Sequence, residues 1–148
     1  MKIVLDANIT LALVLPLPAT AQVIQQIFNW QRQGCHFFVP TLWCYEVASA
    51  LRKVRVAGSL DDVAIEEALQ HLFSLPLQQV APTPRLIERS LYWAEILGQR
   101  VAYDGTYLAV AEAIGAEFWT LDRKLVRAVL PLGLDWIHSF MQENGSSL

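Results

Sequence analysis

Short apolar runs alternate with longer amphipathic segments along almost the whole chain, and this alternation restricts the possible folds more than any other feature. Five runs predict strands, at residues 3–5, 37–39, 77–81, 118–121 and 134–137. The segments between them carry apolar residues at helical spacing. Because strands that alternate with helices are typical of α/β domains, we predict three layers, with a central, mostly parallel sheet flanked by helices.

Capping and turn residues indicate where helices begin and end. Thr83 followed by Pro84 predicts a helix start, and Gly98 predicts the end of that helix. Its predicted buried stripe is Ile87, Leu91, Ala94 and Leu97. The helix after Pro40 is predicted to bury Tyr45, Ala48, Leu51 and Val54. Ser59, with an acidic residue three positions later, resembles a capping box and predicts another start.

Composition limits the class of protein. The chain has 148 residues, of which 54% are hydrophobic and 17% charged, so we expect a folded domain and not a disordered segment. We assign residues 1–140 to a single domain and 141–148 to a flexible, polar C-terminal tail. No apolar stretch reaches the roughly 18 to 20 residues of a membrane span, and no signal-peptide pattern is present. We therefore expect a cytoplasmic protein with no membrane association.

Charge, cysteine content and hydropathy add weaker constraints. The net charge of −3 argues against bulk electrostatic binding to nucleic acid but is compatible with a local basic groove. Cys35 and Cys44 are not closely spaced, and we predict that both are small buried hydrophobic residues. The mean hydropathy of +0.34 is high for a monomer of this size. It favours a homodimer, formed through helices between Val23 and Ala57 or those after Asp61.

Four acidic residues stand where one predicted element gives way to the next. Asp6 follows the first strand and Asp122 the fourth, while Glu46 and Asp104 lie early in helices. Sites in parallel sheets form beyond the carboxyl ends of the strands, so one edge of the sheet could collect all four acids. Each acid taken alone also has a structural explanation, such as an N-cap for Asp122 or a turn for Asp6.

Carboxylates that converge repel each other unless a cation lies between them. Two of them about 4 Å apart repel by roughly 4 kcal/mol at an effective dielectric constant near 20. Such a cluster either raises some of its pKa values or binds a cation. Because the four side chains offer only oxygen ligands, with no His or Cys among them, Mg²⁺ or Mn²⁺ is favoured over Zn²⁺.

Four sequence blocks carry these acids. They are VLDAN at 4–8, PTLWCYEVASAL at 40–51, YDGTYLA at 103–109 and TLDRKL at 120–125. In this order and at this spacing the blocks resemble those of the PIN-domain ribonucleases, in particular the VapC-type toxins of bacterial toxin–antitoxin pairs. The resemblance covers roughly residues 1–137.

The resemblance implies a metal-dependent endoribonuclease that hydrolyses RNA phosphodiester bonds and leaves a 5′-phosphate and a 3′-hydroxyl. Asp6, Glu46 and Asp104 match the family's three acidic positions, and Asp122 matches a fourth, more variable one. They are the predicted catalytic residues and ligands of Mg²⁺ (or Mn²⁺). The resemblance also implies a type II toxin with a small antitoxin partner, which lies over a hydrophobic groove and the active site.

Three further positions matter in the resemblance. Asn8 stands where the family more often has Ser or Thr, and Thr120 matches a polar residue near the site. We predict that both support the metal ligands without being ligands themselves. Gly105 replaces the commoner Ala and is expected to loosen the start of its helix.

Two clusters of basic residues follow the second and fourth acids. The clusters are Arg52, Lys53 and Arg55, and Arg123, Lys124 and Arg127. They are either ordinary solvated helix faces or contacts to RNA phosphates. The predicted RNA contacts are Arg52, Lys53, Arg123 and Lys124. Trp43, Tyr45 and Trp119 could stack on bases, but core packing is favoured for each.

Two other functions are compatible with the same pattern. The chain could be a non-catalytic RNA- or protein-interaction module on the same scaffold, which the four acids disfavour. It could also be a receiver-like domain with Asp6 as phosphoacceptor. Receivers have an acidic pair near the first strand, and Asp6 has no acidic neighbour in its segment.

Overall fold

The computed structural model describes residues 1–140, and the predicted tail at 141–148 lies outside the described residues. Within residues 1–140, five strands form one sheet: β1 (Lys2–Leu5), β2 (His36–Pro40), β3 (Leu77–Val80), β4 (Glu117–Thr120) and β5 (Ile137–Ser139). The same residues form seven α-helices: α1 (Ala7–Leu11), α2 (Thr20–Arg32), α3 (Leu42–Val56), α4 (Asp62–Ser74), α5 (Pro84–Ile96), α6 (Tyr103–Ile114) and α7 (Arg123–Val129). A 3₁₀ turn, Leu130–Leu132, follows α7.

The sheet confirms the predicted α/β architecture. Its strand order is β3-β2-β1-β4-β5, and every pair is parallel. The central strand β1 is apolar on both faces, with Ile3 and Val4 fully buried, because helices flank the sheet. The strand order reverses between β1 and β4, which creates a crevice at their carboxyl ends. Receiver domains have the order 2-1-3-4-5 instead, so the receiver-like alternative is wrong.

Several helix ends follow the predicted signals. The Thr83 hydroxyl accepts a hydrogen bond from the Leu86 amide at 3.1 Å and starts α5. The start of α4 was predicted two residues too early, because Asp61 and not Ser59 is the N-cap, accepting from the Ala64 amide at 2.8 Å. The short helix α1 carried no predictive signal, since five residues are too few for a periodic pattern.

The predicted buried faces of α3 and α5 are only partly right: Leu51 and Ala94 are buried, and Val54 and Leu97 pack against the core, but the other predicted residues do not. On α5 the buried residues are Leu86, Ser90, Trp93 and Ala94. Ile87 and Leu91 point outward, with 47% and 62% of their surface exposed. On α3 the buried residues are Trp43, Val47 and Leu51, while Tyr45 is 74% exposed. The apolar residues were assigned to the core by type, whereas α5 buries a face with a small residue, Ser90, because that face packs closely on α6.

Gly105 is the reason for this close packing. A Cβ atom added to Gly105 would lie 2.4 Å from the Ser90 carbonyl oxygen and 3.0 Å from the Ala94 amide nitrogen. The Thr106 amide donates to the Ala102 carbonyl at 2.9 Å, so the first turn of α6 is hydrogen-bonded. Gly105 therefore fixes the start of this helix against α5, contrary to the expectation that it loosens it.

The last strand was predicted three residues too early. β5 begins at Ile137, where it pairs with Phe118, and the predicted residues 134–136 precede it. Within residues 1–140, no helix is long and apolar enough to cross a membrane.

Candidate carboxylate site

Asp6 lies at the carboxyl end of the central strand. Its backbone amide donates to the Trp119 carbonyl at 3.0 Å, which extends the ladder between β1 and β4 by one residue. The side chain is therefore held in the crevice where the strand order reverses, and only 7% of the residue is exposed. Its Oδ2 atom accepts hydrogen bonds from the Thr120 hydroxyl at 2.6 Å and from the Asn8 amide at 3.0 Å.

Asn8 and Thr120 form the immediate support of Asp6. The Asn8 side-chain amide also donates to the Thr120 hydroxyl oxygen at 3.1 Å, while its Oδ1 accepts from the Leu121 backbone amide at 3.0 Å. These bonds tie the start of α1 to the end of β4 and fix the orientation of the Asp6 carboxylate. Both residues thus stand where a supporting role requires them.

Glu46 reaches the site from α3. One turn earlier on this helix, the buried Trp43 indole donates to the Thr10 hydroxyl at 2.8 Å, which anchors α3 to α1. Glu46 is half-buried, and its Oε1 atom is buried without a hydrogen-bond partner among residues 1–140. Burial raises the pKa of Glu46, and the negative charge of Asp104 raises it further.

Asp104 reaches the site from the first turn of α6. Its Oδ2 atom accepts a hydrogen bond of 2.6 Å from the Gln99 side-chain amide. Gln99 lies in the connection before α6, and its own Oε1 atom is buried without a partner in the described part of the chain. Gln99 could not be selected from the sequence, because a single polar residue in a connection forms no pattern.

The three acids interact electrostatically. The pKa of Asp6 is raised to about 7, first by burial and then by the negative charges of Asp104 and Glu46, although the Thr120 hydrogen bond opposes the shift. In the described range 1–140, no group of three His, Cys, Asp or Glu side chains is close enough to hold a metal ion as positioned. The structure thus brings three predicted ligands into one site without closing them around a common point.

Asp122 has a capping role at the edge of the site. Its Oδ1 atom accepts from the backbone amides of Lys124 at 2.8 Å and Leu125 at 3.1 Å, which makes it the N-cap of α7. Its own amide donates to the Thr120 hydroxyl oxygen at 2.9 Å, so it adjoins the site. Asp122, Gln99 and Lys124 all line one cleft of about 280 Å³.

The four predicted RNA contacts are exposed, and none of them pairs with an acid within the described residues. Lys53 follows Glu46 by seven residues, about two helical turns, and so shares its face of α3. Arg52 lies to the side of that face. Arg55, in contrast, is paired with Asp62 at the start of α4.

Tyr107 was not among the predicted site residues. It lies on α6 three residues after Asp104, is completely buried, and interacts electrostatically with Asp6 and Glu46. Of the aromatic residues proposed to stack on bases, Trp43 is buried in the core and Trp119 is half-buried. Tyr45 alone is exposed among these three.

A larger cleft lies at the opposite, amino-terminal end of the sheet. It has a volume of about 570 Å³ and is lined by Arg89, Glu112, Glu117 and Trp136, among others. None of the predicted acids contributes to it. Its acids are paired: Arg89 donates two hydrogen bonds of 2.7 Å to Glu112, and the Trp119 indole donates to Glu117 at 2.9 Å.

No protein-family model matches the sequence, and no curated protein matches it significantly. Solved structures do match. PAE2754 from Pyrobaculum aerophilum has a TM-score of 0.67 at 25% identity, over 95% of this chain and 92% of that one. VapBC2 from Rickettsia felis, bound to a DNA fragment from their promoter, has a TM-score of 0.68 at 15% identity, over 94% and 98% of the chains.

A third match is VapC20 from Mycobacterium tuberculosis, a sarcin-ricin loop cleaving toxin. It has a TM-score of 0.63 at 18% identity, over 85% of this chain and 94% of that one. The three structures share with this chain the fold that places Asp6 at the central crevice. The chain has the PIN-domain fold of the VapC type.

Proposed function

We propose that the protein is a metal-dependent endoribonuclease. The observation that carries this proposal is that Asp6, Glu46 and Asp104, from three separate elements, approach one another with no cationic side chain among residues 1–140 to neutralise them. Gathering buried acids costs stability, and a bound cation offsets that cost. Among the similar structures, the Mycobacterium tuberculosis protein is a toxin that cleaves the sarcin-ricin loop, which supports RNA as the substrate.

The donor set fits Mg²⁺ or Mn²⁺. Asp6 and Asp104 each keep one carboxylate oxygen that makes no hydrogen bond among the described residues, and Glu46 Oε1 is buried without a partner. Rotation of these side chains would let each carboxylate direct one oxygen at a shared ion. We assign Asp122 to its helix cap and not to the ion, because its charge is not among those that raise the pKa values of Asp6 and Glu46.

A bound divalent cation would supply an activated water and stabilise charge on the phosphate. The chain's own groups would position that chemistry. Asp6 is oriented by Thr120 and Asn8, and Asp104 by Gln99. In the hydrolysis, the water oxygen bonds to phosphorus while the bond from phosphorus to the 3′ oxygen breaks. The products are a 5′-phosphate and a 3′-hydroxyl, which takes up a proton.

RNA would approach over the exposed lysines beside the site. Lys53 shares the helix face of Glu46, and Lys124 lines the cleft that contains Gln99 and Asp122. Lys53→Ala and Lys124→Ala should each weaken RNA binding severalfold and lower the slope of its salt dependence by about 1. Arg85→Ala is the matched control, because Arg85 lies near Glu112, away from the acids. Arg52 and Arg123 are weaker candidates for the same role.

We further propose that the chain is the toxin of a type II pair and acts in the cytoplasm with an antitoxin partner. The VapBC2 match supports this kind of partner. A homodimer remains part of the proposal. On α5, Ile87, Leu91 and Tyr92 form an exposed apolar strip, which suits the second predicted interface, after Asp61. Sedimentation of a clean monomer at micromolar concentration would remove the homodimer.

The proposal is tested by RNA cleavage with Mg²⁺ or Mn²⁺. Asp6→Asn and Asp104→Asn preserve size and should lower the cleavage rate by at least about 100-fold, since each removes a negative ligand. Cleavage by both variants at the wild-type rate would assign the activity to a contaminant. If the wild type binds no Mn²⁺ in a calorimetric titration at neutral pH, the non-catalytic interaction module becomes the better explanation.

A further inference from the structure

The hydroxyl group of Tyr107 is buried inside the carboxylate site without a partner. The residue is 0% exposed, and its ring packs on Phe118 with the ring centroids 6.1 Å apart. The hydroxyl oxygen makes no hydrogen bond within residues 1–140. Buried hydroxyls are nearly always hydrogen-bonded, so this one requires an explanation.

A second unpartnered atom lies beside it. Tyr107 interacts electrostatically with both Asp6 and Glu46, and Glu46 Oε1 is buried without a partner as well. The phenol and the Glu46 carboxylate are close enough to interact, but they do not meet the geometry of a hydrogen bond. A donor and an acceptor thus lie side by side unsatisfied, which is costly to stability.

Packing alone does not account for a tyrosine at this position. A phenylalanine would fill the same space against Phe118 and would bury no polar atom. The oxygen of Tyr107 lies near the Ala7 backbone amide and the Glu46 carboxylate but completes a hydrogen bond with neither. It also stays a neutral donor, because burial and the neighbouring carboxylates hold the pKa of Tyr107 above its usual value.

We propose that Tyr107 is a positioning residue of the metal site, whose hydroxyl donates a hydrogen bond to Glu46 when the carboxylates close around Mg²⁺ or Mn²⁺. This inference rests on the proposed function. The hydrogen bond would hold one oxygen of Glu46 and leave the other directed at the ion. Groups that orient metal ligands in this way contribute substantially to metal affinity.

The test is Tyr107→Phe in the full chain, with two measurements. Calorimetric titration with Mn²⁺ at pH 7 should show a dissociation constant raised about tenfold over wild type. The unfolding midpoint in EDTA should be equal to that of wild type or higher, because the variant removes an unsatisfied hydroxyl. Tyr103→Phe, on the same helix but 55% exposed, should change neither quantity.

The outcomes separate this proposal from the proposed function. If wild type and Tyr107→Phe bind Mn²⁺ equally well, the positioning role is overturned while metal binding stands. If Tyr107→Phe fails to fold, the hydroxyl is a structural group and the proposal is also overturned. If wild type itself binds no Mn²⁺, the proposed function fails, and the positioning role fails with it.

Discussion

Acidic side chains are paired at one end of the sheet and lack a basic partner at the other, among residues 1–140. At the amino end, Glu112 accepts two hydrogen bonds from Arg89, and Glu117 accepts one from the Trp119 indole. At the carboxyl end, Asp6 and Glu46 have no basic partner among residues 1–140, and both have raised pKa values. Internal pairing makes the first end a stabilising surface. The second end has no such internal pairing among residues 1–140.

A single helix carries an acid to each end. α6 presents Asp104 in its first turn and Glu112 two turns later. Glu112 meets the guanidinium of Arg89, whereas Asp104 meets the neutral amide of Gln99. The difference lies in the neighbours and not in the residue type. Acids with shifted pKa values cluster at functional sites, so the carboxyl end is the better candidate for a ligand site and the amino end for scaffold.

The largest expected effect concerns Asp6 and pH. Its pKa in the folded protein is about 7, above the usual value of 3.8, so the folded state retains a proton between pH 4 and 7 that the unfolded state has lost. Metal-free stability should therefore fall as pH rises through this window, by on the order of 4 kcal/mol. Urea denaturation in EDTA from pH 4.5 to 8.5 measures this change.

Asp6→Asn is the matched variant for that experiment. The asparagine oxygen can accept the hydrogen bonds from Thr120 and Asn8, but the side chain does not ionise. Its stability should therefore exceed that of wild type at pH 8 and approach it near pH 4. If the stabilities of the two proteins changed with pH in parallel, ionisation of Asp6 would not destabilise the fold. The contrast between the two ends of the sheet would then disappear.

A second prediction concerns how α6 is held. Gly105→Ala would place a methyl group 2.4 Å from the Ser90 carbonyl oxygen, so α5 and α6 must separate. We expect a loss of about 3 kcal/mol in the free energy of unfolding. The Mn²⁺ affinity should fall too, because Asp104 is the preceding residue. Ala48→Gly, at an exposed position of α3, is the control and should cost only about 1 kcal/mol.

Asp122 tests where the carboxylate site ends. As the N-cap of α7 it accepts two backbone hydrogen bonds, so Asp122→Ala should cost about 1 kcal/mol in unfolding experiments. Asp122→Asn caps nearly as well and should restore that stability. Because we assign the residue to the cap, the Mn²⁺ dissociation constant of Asp122→Asn should match that of wild type. A large increase in the constant for Asp122→Asn alone would instead make Asp122 a fourth ligand.

The smallest effect is expected at the amino end. The ion pair of Arg89 and Glu112 is more than a third exposed on both sides, so Glu112→Gln should cost about 0.5 kcal/mol. Mn²⁺ binding and RNA cleavage should not change. If either activity fell markedly, the two ends would be coupled through α6, and the division between scaffold and site would be wrong.

Much of the fold follows from local signals. The apolar strands, the cap at Thr83 and the turn at Gly98 are properties of neighbouring residues, and the structure has them at or near the predicted positions. The exposed sides of α3 and α5 were not predictable in this way. Which face of a helix is buried depends on how closely the neighbouring helix approaches. For α5 this distance is set by Gly105 on α6, which lies 15 residues from Ser90 in the sequence.

The sequence alone determined that acids follow the strands of a parallel sheet, since strand ends and helix starts are local features. Tertiary structure decided which acids meet. Asp6, Glu46 and Asp104 come together because β1 is central and α3 and α6 begin at its carboxyl end, whereas Asp122 caps its own helix beside them. The tertiary structure also places Gln99 beside Asp104, and Tyr107 near Asp6 and Glu46. Contacts between residues far apart in the chain arise only when the whole sheet assembles, so no local sequence pattern predicts them.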